Sequence, residues 1–486
     1  MVESESARWL DLARPPYLAV MTMISLGIGL LAFNSFLVST ALPSAVEQVG
    51  GAALMSWSIT LYLVFSIVAG AGSALVKRRF GARRSLVAAA CLFIVGTLLA
   101  GFAPSMEVIL LGRVLQGAGE GIIAGISYAL IPAYFPSRLI PRVFATEALV
   151  WAFCGFSGPF VAGALTEWVS WRFAFLINVP AALFLIALVL MAPRQPDEEA
   201  GDPVPPPFLR LGLLGVGMLL VSLIGLDGKP VVKIGLLVAA LVVIALVFAL
   251  DRRARFPVLP DQAFFLTTPL GLGLWTVVLM PLALSGNTVY VVFLLQELKG
   301  MSPLGAGGVN ALMSLSWSLT AILVSGIADR NWQRRLIAIG PLVLLVGSLL
   351  MVAAWWQASL LLIGLGQILL GGAFGLSWGY LSQAMMDISP EASRDRTSVF
   401  LPTLQSVGFA FGAAFAGIVV NALGFAADAD HATLRHAALG LYGFAAFLAV
   451  PGVIAALRVI ALLNARTSPP EEDALVTALA KQKPRF

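Results

Sequence analysis

Fourteen apolar runs follow one another along the chain, at 18–42, 53–75, 86–104, 107–133, 141–166, 172–193, 208–226, 231–250, 266–296, 303–327, 336–354, 358–383, 397–423 and 437–463. Most reach the roughly 20 residues needed to cross the hydrocarbon core of a bilayer as a helix. Backbone amides cannot go unpaired in lipid, so runs of this kind must be helical. A chain of 486 residues that is 59% hydrophobic and only 11% charged has too little polar surface for a soluble globule. The sequence predicts an all-α, multi-pass membrane protein surrounded by the lipid bilayer.

The basic residues between the runs sort by side. Twenty-four Lys and Arg lie before the first span, after the last, and in every second connection, whereas Arg172, Lys229, Lys233, Lys299 and Arg435 are the five on the other side. Basic connections stay cytoplasmic, so both termini are expected in the cytoplasm. The net charge of +5 is then a topology signal, and no nucleic-acid partner is expected. Residues 1–17 carry both signs of charge and lack a short apolar region with a small-residue cleavage site, so the first span reads as a retained targeting signal. Cys91 and Cys154 fall inside spans 3 and 5 and form neither a disulfide nor a metal pattern. His431 and His436 fall in the expected outer loop before the last span and read as solvated, so no metal site is expected.

Charge inside the lipid-spanning runs is rare. The fourth run, LLGRVLQGAGEGIIAGISYALI, carries Arg113, Gln116 and Glu120. Intramembrane ionisable groups are costly and by default mark a substrate or proton path. Arg113 and Glu120 share a helix face two turns apart, with Gln116 between them as an expected bridge. Glu120 is expected near the membrane midplane, and Glu147, early in the fifth run, in the cytoplasmic half. Burial in lipid and the Arg113 charge act on a Glu120 proton in opposite senses, which makes its binding sensitive to access, as coupling requires. Structural readings stay open beside these. Arg113 is also placed to tie backbone carbonyls of span 1, Glu120 to neutralise Arg113 permanently, and Glu147 to complement a helix N-terminus.

The segment RQPDEEAGDPVPPP at 194–207 cannot continue a membrane helix and reads as a linker. Across it lies a weak repeat: GRVLQGAGEG at 112–121 aligns with GQILLGGAFG at 366–375, setting Gln367 opposite Arg113 and Phe374 opposite Glu120. Internal repeats of this kind build many transporters, with substrate held between them. The expected units are a six-helix bundle at 1–193, a linker with two extra spans at 194–262, a second six-helix bundle at 263–463 and a tail at 464–486.

Several motifs together resemble the major facilitator superfamily, in particular its fourteen-helix drug:proton antiporter branch. Arg113, Gln116, Gly117 and Gly119 match R-x-x-Q-G-x-G, and Gly155, Gly158, Pro159 and Gly163 match the antiporter motif of helix 5, with Ala162 replacing one glycine. WRFAFLINVP at 171–180 is similar to W-R-W-x-F-x-x-N-x-P, and FLLQELKGMSPLGAG at 293–307 to Y-L-Q-x-x-x-G-x-S-P-x-x-A-G. Two positions depart from the family. In ALVKRRFGARRSL at 74–86, which resembles G-x-L-A-D-R-x-G-R-R around Gly81, Arg78 stands where the family has an acid; the second-half copy keeps Asp329 and Arg330. In FNSFLVSTALP at 33–43, Asn34 replaces an aspartate that the family implicates in proton coupling.

The resemblance implies two pseudo-symmetric six-helix bundles plus two linker helices. It also implies export of small organic solutes or drugs in exchange for protons by alternating access, in a bacterial inner membrane. The chain reads as a monomer driven by the proton gradient, without cofactor and without enzymatic activity. Glu120, Arg113 and Glu147 are the proton-coupling candidates. Asn34, Gln116, Tyr62, Trp151, Asn287, Tyr290, Asn310, Gln367, Trp378 and Gln405 are candidates to contact substrate. Gly155, Gly158 and Gly163 are expected to allow close helix packing and Pro159 to bend helix 5, while Gly81, Asp329 and Arg330 belong to the loops that the resemblance links to latching helices of the outward-facing state. Two other readings remain: an uncoupled facilitator or importer of one metabolite, and a non-transporting receptor or scaffold on the same fold.

Overall fold

The computed structural model describes residues 9–15, 17–50, 54–191, 207–224, 229–260, 262–301, 303–424 and 430–467. Nearly all of the expected linker segment and most of the tail lie outside the described residues. After a single turn at Trp9–Leu12, the helices of the first half are α1 (Tyr17–Val49), α2 (Met55–Phe80), α3 (Ala82–Gly101), α4 (Met106–Tyr134), α5 (Ile140–Trp168) and α6 (Trp171–Met191). Next come α7 (Phe208–Leu223) and α8 (Pro230–Arg252). The second half comprises α9 (Pro269–Lys299), α10 (Pro303–Val324), α11 (Arg330–Trp356), α12 (Leu360–Ile388), α13 (Glu391–Ala422) and α14 (His431–Thr467).

Thirteen of these helices are long and apolar enough to cross a membrane. The exception is α7, whose 16 residues rise about 24 Å, short of the roughly 30 Å hydrocarbon core. Two local expectations need correction. His431 and His436 lie in the first turns of α14 and not in a loop, because Asp430 caps the helix by accepting the Thr433 backbone N–H at 2.7 Å. The sixth span is broken at Ile177 into Trp171–Leu176 and Asn178–Met191.

The two halves repeat one packing scheme. In the first, α4 packs on α2 and α3, and α1 on α5; in the second, α12 packs on α10 and α11, and α9 on α13. The repeat reaches individual backbone atoms. A Cβ on Gly117 or Gly121 of α4 would overlap the carbonyls of Tyr62 and Ser66 on α2, and a Cβ on Gly371 or Gly375 of α12 would overlap those of Met313 and Trp317 on α10. Each is a pair of glycines four residues apart that lets two helices touch backbone to backbone. The fold is that of two pseudo-symmetric six-helix bundles with two additional helices between them. Of these two, α7 packs against α8 and α2.

Candidate functional site

Glu120 sits at the centre of α4, 14 residues from each end, or about 21 Å from either. It is 1% exposed, as is Arg113. The Arg113 guanidinium donates from Nη1 to Gln116 Oε1 at 2.7 Å and from Nε to the Ser58 carbonyl at 3.2 Å. Its Cζ lies 3.9 Å from the centroid of the Tyr62 ring. The Tyr62 hydroxyl in turn donates to Glu120 Oε2. Tyr62 therefore links cation to acid, by its π face on one side and its O–H on the other. This corrects the expected bridge, because Gln116 turns away and donates to Thr97 Oγ1 at 2.9 Å. Arg113 ties to a carbonyl of α2 and not of α1.

Beside Glu120 lies Asn34 of α1. Its Oδ1 accepts from Asn178 Nδ2 at 3.4 Å. Four buried polar atoms around this cluster have no hydrogen-bond partner: Glu120 Oε1, Asn34 Nδ2, Asn178 Oδ1 and Ser58 Oγ. Such groups are normally satisfied in a folded interior, so the concentration of four in one place sets this region apart. The sequence named Tyr62 only as a candidate substrate contact, and it missed Ser58, Thr97 and Asn178. The glycine pair at 117 and 121 signalled a close helix partner but not which residues that partner would present.

At the equivalent place in the second half the network is neutral and closed. Asn287 Nδ2 donates to Gln367 Oε1 at 3.0 Å, Gln367 Nε2 donates back to Asn287 Oδ1 at 2.8 Å, and the Tyr442 hydroxyl donates to the same Oδ1 at 2.8 Å. Asn287 and Gln367 thus hold one another, at 2% and 0% exposure. Phe374, opposite Glu120 in the repeat, packs on the Trp317 ring with centroids 4.6 Å apart.

The family model described as the Major Facilitator Superfamily matches residues 24–413. The chain belongs to the major facilitator superfamily. It is 30% identical over 470 residues to a probable multidrug-efflux transporter of Mycobacterium tuberculosis, covering 93% of this chain and 96% of the relative. It is 24% identical over 405 residues to the multidrug efflux pump SdrM of Staphylococcus aureus, covering 82% and 89%. Among solved structures, the human organic anion transporter MFSD10 superposes with a TM-score of 0.68 at 17% identity, over 91% of this chain and 100% of that one. The protein is therefore a multi-pass membrane transporter and not an enzyme.

The remaining candidates in this major facilitator protein scatter. Trp378 is buried where the halves meet, Tyr290, Asn310 and Gln405 are half-buried, and Trp151 is exposed, its ring edge-on to Phe36 at 6.4 Å. On α5, a Cβ at Gly158 would lie 2.7 Å from Phe36 Cβ and one at Gly155 3.3 Å from Phe36 Cζ, so these glycines do admit α1. Gly163 does not share that role: nothing lies within 4 Å of a Cβ there. Pro159 lies inside α5, and Gly81 joins α2 to α3 at φ 78°.

The side-chain hydrogen bonds and the ion pair between the halves lie toward the end where the basic connections are. Lys77 Nζ pairs with Asp395 Oδ2 at 2.5 Å, Ser137 Oγ donates to Asp387 Oδ2 at 2.6 Å, and Gln383 Nε2 donates to the Ser137 carbonyl at 2.8 Å. Deeper in, Ser318 Oγ donates to the Ala148 carbonyl at 2.8 Å. The base of the pair joining α2 to α13 comes from the first half and the acid from the second. Arg78, at the family's acidic position, is exposed and stacks over Phe256 at 5.4 Å. In the second-half loop, Asp329 caps α11 by accepting the Asn331 N–H at 2.8 Å, and Arg330 is exposed beside it.

Proposed function

We propose that the protein exports small lipophilic organic solutes across the cell inner membrane in exchange for protons, by alternating access of a central site. The observation that carries this reading is the state of Glu120: at mid-helix depth, bonded by one oxygen to Tyr62, with its other oxygen unpartnered. Proton binding to such a group depends on whether water or substrate reaches it, and Tyr62 transmits its charge state to Arg113. The names of the relatives, multidrug-efflux proteins of bacteria, support export and a broad substrate range. The neutral network at the equivalent place in the second half supports assigning the charged centre at this level to the first half.

In this reading Glu120 carries the proton, Arg113 and Tyr62 tune it, and Asn34 stands beside it in place of the family's carboxylate. The basic end is cytoplasmic, as are both termini, so contacts closed at that end correspond to an outward-facing conformation. No cofactor takes part; the proton gradient supplies the energy, and one chain suffices.

The test uses energised inverted vesicles and a panel of lipophilic cations, zwitterions and anions. Wild type should dissipate the pH gradient on addition of some compounds, and Glu120→Gln should not. Dissipation that persists in Glu120→Gln would remove Glu120 from coupling. Solute movement independent of the gradient would favour an uncoupled facilitator.

A further inference from the structure

Among the described residues two carboxylates are buried apart from the Glu120 cluster. Glu147 of α5, 3% exposed, accepts a hydrogen bond from Ser25 of α1 at 3.4 Å. Asp251, 1% exposed, lies one residue before the end of α8 and has partners that its own helix does not require. Its Oδ1 accepts from Arg210, the third residue of α7, and its two oxygens accept the backbone N–H of Val258 at 2.9 and 3.1 Å and that of Leu259 at 2.8 Å. Arg210 Nη1 also donates to the Phe256 carbonyl at 3.0 Å. A helix dipole favours anions at its N-terminus and cations at its C-terminus, so each of these charges sits at the wrong end of its helix. What they fold instead is the segment that follows α8.

That segment is a strap at the basic end. Gln262 and Phe264 take φ 59° and 64°, left-handed conformations that are costly for a residue with a side chain and persist only where the surroundings hold them. The Phe264 ring lies between those of Phe248 on α8 and Trp275 on α9, with centroids 5.0 Å from each, and its carbonyl accepts from Trp275 Nε1 at 3.1 Å. Nearer α8 the strap crosses the seam between the bundles. Arg396 of α13 donates to the Leu259 carbonyl at 3.2 Å, and the Arg78 guanidinium of α2 lies 5.4 Å from the centroid of the Phe256 ring, which it shares with Arg255. Arg78 and Arg396 are the chain neighbours of Lys77 and Asp395, the ion pair across the same seam. The strap therefore runs beside that pair, one residue further along each helix.

We propose that residues 256–259 form a second closure of the basic end, in which Asp251 is the positioning residue that folds the strap and Arg78 on Phe256 is the contact that opens. The extra helix pair, which carries Arg210 and Asp251, thereby takes part in the conformational cycle, and Arg78, which departs from the family, has its partner on the strap. When the halves part, the strap stays with the second half, to which Phe264, Trp275 and Arg396 hold it. The contact of Arg78 with Phe256 has no hydrogen bond and is the one that breaks. The proposal rests on the alternating-access reading for the parting of the halves, and on nothing about protons or substrate.

The experiment uses the full-length protein in inverted vesicles, where the basic end faces the reagent, in a Cys91→Ser, Cys154→Ser background. Tryptic cleavage after Arg253 and Arg255 reads the strap itself. Asp251→Asn, which removes a charged acceptor, should be cut about tenfold faster or more; an equal rate overturns Asp251 as the anchor. Alkylation of Ala145→Cys by a membrane-impermeant maleimide reads parting, because Ala145 is 0% exposed and lines the cavity enclosed by α5, α10 and α12. Phe256→Leu and Arg78→Ala should each raise that rate about twofold to fivefold, while Phe256→Trp and Arg78→Lys should keep it. Ala90→Cys, buried within the first bundle, should react no faster in any of these variants. If Asp251→Asn does not fold, the Arg78 and Phe256 variants, at an exposed and a half-buried position, carry the test alone. An Ala145→Cys rate unmoved by Phe256→Leu and Arg78→Ala overturns the strap and leaves alternating access standing. A rise shared by Ala90→Cys reports a loosened fold and overturns it too. No reaction of Ala145→Cys in any of the proteins removes parting at the basic end, and alternating access and the strap fail together.

Discussion

Tyr62 donates its hydroxyl to Glu120 while the Arg113 guanidinium rests on the face of the same ring. Arg113 and Glu120 form no direct ion pair; a phenol on α2 stands between them. A cation over a desolvated aromatic face is worth about 2 kcal/mol, so the ring holds Arg113 in place whatever the charge on Glu120.

Tyr62→Phe separates these roles. It keeps the ring under Arg113 and deletes the bond to Glu120. A hydrogen bond to a charged acceptor contributes about 1.5–3 kcal/mol, so substrate-driven proton flux at fixed pH should fall roughly tenfold or more with the amount of folded protein unchanged. Tyr62→Leu should lose folded protein as well, read by size-exclusion chromatography. Equal flux in Tyr62→Phe and wild type would dissociate the hydroxyl from coupling.

Asn34→Asp places a second carboxyl beside Glu120. Two carboxyls in one site titrate as a pair, in two macroscopic steps. The pH profile of transport should therefore broaden from one step to two, measured in proteoliposomes over a pH series. A single unbroadened step would mean that Asn34 and Glu120 do not share a site.

The Lys77–Asp395 pair, with side-chain exposures of 18% and 50%, is partly screened by water, so its worth is about 1 kcal/mol or less. Lys77→Glu should shift the population toward parting at the basic end about fivefold or less, read by spin-label distances between α2 and α13. The swap Lys77→Asp with Asp395→Lys should restore the wild-type distances. Failure of the swap to restore them would exclude the pair as a determinant of the conformation.

Gly371→Leu should cost about 3 kcal/mol or more, since its side chain would enter the Met313 backbone and force α12 from α10. Gly163→Leu, facing open space, should leave thermal stability within about 0.5 kcal/mol of wild type. Thermal unfolding in detergent compares the two, and equal losses would contradict the packing described for α12.

Hydropathy determined the number of helices and the positions of most of their ends, and the linker at 194–207 with the internal repeat gave the two-half organisation. Those follow from one-dimensional facts: how long an apolar run must be to cross lipid, and where proline, glycine and charge interrupt it. The repeat of GRVLQGAGEG and GQILLGGAFG was also legible, because glycines four residues apart are a local pattern. The depth of Glu120 followed from counting residues along α4. What only the tertiary structure decided was partnership. Gln116 is the natural bridge between Arg113 and Glu120 on one helix, yet it turns to Thr97 of α3, and Tyr62 of α2 takes its place. Asn287 and Gln367 lie 80 residues apart in the chain and bond to each other. Lys77 finds Asp395 across the seam although the family's acidic position is occupied by Arg78. A side chain's partner depends on which helices pack and at what rotation, and those are set by the sum of many weak contacts distributed over all of them. No single stretch of sequence contains that sum.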